Sequence, residues 1–144
     1  MKIQLFSSAS LALGGLILMG MAFYFAFLRP PLLPEDLIYM GASLMEIQSA
    51  IPGFQSWLTR VFGVLSGYMF ATGLLTVYIA IIGLKTGGLG VLAVVSISGL
   101  ASIGWMTITN FAINSDFKWL LFTFTLPWCV ALALAWIGEK LIKE

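Results

Sequence analysis

The residues able to do chemistry in this chain are few and lie toward its polar ends. One set is a candidate polar rim: Arg29, Glu35, Asp36, Tyr39, Glu46, Arg60, Asn110, Asn114, Asp116 and Lys118. A second set, Tyr68, Thr123, Pro127 and Trp128, falls in apolar sequence and is a candidate pocket. A carboxyl such as Glu35, Glu46 or Asp116 beside an apolar cavity has the makings of a general acid or base on a lipid-like substrate. A shared-proton pair is not offered by the spacing. Glu35 and Asp36 are neighbours whose side chains diverge by about 100° on a helix, and Glu35 and Glu46 lie about three turns apart. Asp116 has a structural use as a helix N-cap, and Arg29 and Arg60 as helix-end anchors pairing with Glu35 or Glu46. With no constellation picking out one acid, the reading leans away from an enzyme and names no catalytic residue.

The inventory excludes much else. There is no histidine and one cysteine, Cys129. Haem ligation, Cys/His zinc sites, internal disulfides, CxxC redox chemistry and histidine acid–base catalysis are therefore not available, and no cofactor or metal is expected. Cys129 reads as a small apolar packing residue. Seven basic and six acidic side chains leave a net charge of +1, which gives no case for nucleic acid.

The chain has 144 residues, 60% apolar and 9% charged, with a mean hydropathy of +1.04. Soluble domains carry roughly 25% charged residues. Lipid must therefore be the solvent for most of this surface. A spanning helix needs about 20 apolar residues, and four segments free of Asp, Glu, Lys and Arg qualify, at about 5–28, 61–84, 89–109 and 119–137. The first is too long for a signal-peptide core of about 7–15 residues, and Phe23-Tyr24-Phe25 is too bulky for a cleavage site, so it reads as a retained anchor. Coupled transport needs ionisable groups at membrane depth. The spans have none, which also excludes the membrane carboxylate of small multidrug-type exporters.

Between the first two spans, Pro34 to about Ile51 reads as a single outer helix. Pro34 suits a first helical position, Glu35 and Asp36 suit the positive dipole end, and Leu37, Met40, Leu44, Ile47 and Ile51 repeat as one apolar stripe. Basic residues favour, by one, a side holding Lys2, Lys85, Lys140 and Lys143 over one holding Arg29, Arg60 and Lys118. That places both chain ends in the cytoplasm, and the short loops fit a bacterial inner membrane.

For packing, the row Gly63, Gly67 and Ala71 is expected to meet Gly90, Ser98 and Ser102 across a tight hairpin made by Lys85 to Gly88. Pro127 should kink the fourth span, with Thr123 and Thr125 helping to satisfy the freed backbone. The fold class is all-α: one integral membrane domain over 1–144, a four-helix transmembrane bundle with one amphipathic interfacial helix. The leading functional expectation is an accessory or structural component of a membrane assembly, packed in a larger complex or homo-oligomer within the bilayer. The alternatives are a binder or carrier of a lipophilic small molecule in a cavity under the 34–51 helix, and an enzyme using an outer-face carboxylate.

Overall fold

The computed structural model describes residues 2–84 and 88–143, without the side chains at 139 and 141–143. The described chain is all-α, with six helices. Four are long and apolar enough to cross a membrane, which suggests a membrane-embedded protein: α1 (Lys2–Leu28), α4 (Phe54–Gly83), α5 (Leu89–Ala112) and the apolar part of α6, Lys118–Gly138. The helix of α6 itself continues to Lys143, and α4 begins well before the expected 61, taking in Arg60. Lys85 and Gly87 of the expected hairpin turn lie outside the described residues.

The segment between α1 and α4 departs from expectation. It is two short helices, α2 (Pro34–Met40) and α3 (Leu44–Ala50). Gly41 ends α2 in the left-handed conformation, φ 65°, which costs glycine little. Ser43 then starts α3 with a capping box: its Oγ accepts from Glu46 N at 3.2 Å, and Glu46 Oε2 accepts from Ser43 N at 2.7 Å. A stop followed by a start outweighs an apolar repeat that continues through both. The expected single stripe does not form one buried face, since Met40, Leu44 and Ile51 are all exposed.

Spatial order follows the smallest residues. α1 packs against both α4 and α6, and α5 packs on α6, giving the order α4–α1–α6–α5. Ser7, Leu11, Gly14, Gly15, Leu18 and Ala22 are buried along α1 at steps of three and four, save the Gly14–Gly15 pair. Gly15 and Gly73 bring α1 and α4 into backbone contact: a Cβ built on Gly73 would sit 2.6 Å from the Gly15 carbonyl oxygen. On the other side, Ser7 Oγ donates to the Ala131 carbonyl at 2.8 Å and Ser10 Oγ to that of Pro127 at 2.9 Å. Such interhelical bonds matter where burial of apolar surface drives little association.

The expected Gly63/Gly67/Ala71 packing against α5 is therefore not what forms. Gly63, Gly67 and Gly90 face open space, and α4 and α5 approach near Gly83 and Val91 but make no extended contact among the described residues. Gly73 lies about 120° round the helix from Gly67, so α4 offers α1 a different face from the one the spacing suggested.

Candidate functional site

Because α4 and α5 part after their connection, a cavity of about 890 Å³ lies between them, with α1 and α6 behind it. Its walls are apolar over most of their length: Leu18 and Met21 of α1, Leu65 and Met69 of α4, Met106 of α5, and Leu121 and Phe124 of α6. The α5 wall is shaped by a π-helical stretch, Leu100–Gly104, immediately after Gly99. Ala101 and Ser102 of that stretch, and Trp105 just after it, line the cavity; such bulges recur at functional sites.

Polar groups gather at the end of the cavity opposite both chain ends, where Arg29, Glu35, Asp36, Asn110 and Ser115 line it. Each is held by a local device. Arg29 Nη2 pairs with Asp36 Oδ2 at 3.1 Å, and its Nη1 donates to the carbonyls of Pro30 and Pro31 at 2.9 and 3.2 Å. Its guanidinium lies over Phe62, 4.0 Å from the ring centroid, and 5.4 Å from that of Phe25. Asp36 Oδ2 also accepts from Leu33 N at 2.8 Å, anchoring the start of α2. Glu35 is buried and accepts a 3.1 Å bond from Ser115 Oγ, tying α2 to the α5–α6 loop eighty positions away. Asn110 Nδ2 donates to the Met106 carbonyl at 2.9 Å, which settles the amide on its own helix.

The other rim candidates stand apart from this cluster. Tyr39, Arg60 and Asp116 are exposed and do not line the cavity. Glu46 is exposed on α3, where the Ser43 hydroxyl and then the Ser43 backbone N–H hold its carboxyl below the ordinary value. Asn114 adopts φ 55° and accepts a bond from the Lys118 ammonium, a closure of the loop rather than of the cavity. Asp116 was the expected cap of the last span. Asp116 makes no side-chain hydrogen bond among the described residues; the buried Ser115 Oγ accepts from Phe117 N at 3.1 Å in the turn just before α6 starts at Lys118.

Of the pocket candidates, Tyr68 lines the cavity, whereas Thr123, Pro127 and Trp128 do not. Thr123 Oγ1 donates to the Trp119 carbonyl at 3.0 Å, and Thr125 Oγ1 to that of Phe122 at 2.6 Å, while α6 continues through Pro127. Trp128 is 3% exposed and wedged between α1 and α5. A Cβ on Gly14 would lie 2.5 Å from its Nε1, and one on Gly99 2.6 Å from its Cε3. Its indole N–H has no hydrogen-bond partner among the described residues, and its ring fills the space over Gly14 and Gly99. Cys129 is exposed on the apolar surface of α6.

Ser115, Trp105 and Met69 are site residues that the sequence did not single out. Ser115 had a signal in the run Asn114-Ser115-Asp116-Phe117, where two side chains compete for one cap. No protein-family model, no curated protein and no solved structure matches this chain.

Proposed function

We propose that this chain is an integral membrane protein, a four-span bundle, that binds a lipophilic small molecule in the cavity between α4 and α5, beneath α2. The observation that carries the reading is the cavity itself. Its volume of about 890 Å³ is within the range of small-molecule sites, about 300–1,000 Å³. Its walls are apolar along their length, and its polar groups are confined to one end. An amphiphile entering sideways from the bilayer would place its chain against Met21, Met69 and Phe124 and its head near Arg29, Glu35 and Ser115. Methionine-rich walls adapt to chains of differing shape. A bacterial inner membrane is the proposed setting, with both chain ends cytoplasmic and the polar end of the cavity on the outer side; the slight excess of lysine near the chain ends supports this.

Photolabelling with an alkyl-diazirine in native membranes tests the binding reading. Labels should concentrate on 65–72 and 101–113, and Ala101→Trp, which places an indole in the cavity from α5, should reduce them there. Uniform labelling of every apolar face would contradict it.

A second reading, an accessory component of a larger assembly, has one observation in its favour. Gly63 and Gly67 face open space on α4, a row on which a partner helix can approach closely. Copurification of a second polypeptide at fixed stoichiometry, lost on Gly67→Leu, would establish it.

A further inference from the structure

We infer that the cavity selects an amphiphile whose head is an ammonium group, held by the carboxylate of Glu35. This rests on the cavity being the ligand site. Three charged residues line it: Arg29, Glu35 and Asp36. Arg29 is already engaged by Asp36, by two carbonyls and by the Phe62 ring. Asp36 Oδ2 is engaged by Arg29 and by the Leu33 N–H.

Glu35 differs. The residue is 9% exposed, its Oε1 accepts from the neutral Ser115 hydroxyl and, unlike Asp36, it has no cationic partner among the described residues. A carboxylate oxygen left without a hydrogen bond at the polar end of an apolar cavity is free to accept a charge-assisted bond from a ligand cation. With Arg29 and Asp36 offsetting one another, the formal charge left at the mouth is that of Glu35. The rings of Tyr24, Trp105 and Phe117 line the same cavity, and aromatic faces attract cations. An anionic head would meet the unpaired negative charge instead. The ammonium can come from an ethanolamine lipid of the bilayer or from a free long-chain amine.

The test uses the full chain in phosphatidylcholine nanodiscs, with three probes of one chain length: dodecylammonium, dodecanol and dodecanoate. Wild type should bind dodecylammonium on the order of tenfold or more tighter than dodecanoate, as expected of one charge-assisted hydrogen bond, with dodecanol between them. Glu35→Gln keeps an acceptor for Ser115 and so preserves the tether. It should collapse the preference for dodecylammonium over both dodecanol and dodecanoate. Ser115→Ala, which keeps the carboxylate, should retain the preference. Displacement of dodecylammonium by phosphatidylethanolamine would assign the head to a lipid, and its absence to a free amine. Equal binding of dodecanoate, or an unchanged preference in Glu35→Gln, overturns the inference while leaving the cavity reading standing. Failure of all three probes to bind overturns both.

Discussion

Replacing Gly73 by alanine should force α1 and α4 apart. The new Cβ would sit 2.6 Å from the Gly15 carbonyl oxygen, 2.7 Å from Met19 Cγ and 3.0 Å from Met19 N. A carbon–oxygen contact is comfortable from about 3.3 Å, so the helices must separate by roughly 0.7 Å along that line. Met19 Cγ can turn away, but the Gly15 oxygen is backbone and cannot. Overpacking of this kind costs about 1–3 kcal/mol, offset by the ~1 kcal/mol helix preference of alanine over glycine. Gly63→Ala and Gly67→Ala supply the control. Both glycines are helical on α4 and face open space, so they gain the helix preference with no clash. Gly73→Ala should therefore fall below Gly63→Ala by about 1–3 kcal/mol. Unfolding in mixed micelles by increasing dodecyl sulfate, followed by far-ultraviolet circular dichroism, reads the difference. Equal midpoints for the two variants would refute the placement of α1 against α4 through Gly15 and Gly73.

Ser7→Ala removes the bond to the Ala131 carbonyl and should lower stability by about 0.6 kcal/mol, at most about 1.7; the same unfolding assay measures it. Trp128→Ala empties the wedge between Gly14 and Gly99 and should cost about 3–5 kcal/mol. Trp128→Phe should cost much less, because the indole N–H has no hydrogen-bond partner among the described residues. The Glu46 carboxyl is held below its ordinary value by Ser43, so its contribution to α3 is fully present above the ordinary carboxylate range. It is lost as pH falls through the lowered value. Protection of the 44–50 amides against exchange, taken relative to the intrinsic rate at each pH, should fall over that acidic window in wild type and lose the dependence in Glu46→Gln.

The sequence located the four long apolar helices because exclusion of charge over some twenty residues is a local property that neighbours cannot override. Which faces they share was not local. Gly63-x-x-x-Gly67 looks like an interface, yet Gly14 and Gly15 made theirs first, one toward Trp128 and the other toward Gly73. The break between α2 and α3 was written in Gly41, Ser43 and Glu46, but the apolar repeat crossing it carried the opposite message. At the site, the ion pair of Arg29 with Asp36 spans seven positions and could be anticipated in kind. The bond of Glu35 to Ser115 spans eighty, and only tertiary packing brings those two together. The cavity itself follows from two helices failing to meet, which no residue pattern records.

Native mass spectrometry of the protein released gently from its own membrane tests the binding proposal most directly. The account predicts a protomer or homo-oligomer carrying one reproducible lipophilic adduct per chain, reduced in occupancy in Ala101→Trp. A bare protomer, or an adduct whose occupancy is the same in Ala101→Trp as in wild type, would contradict it.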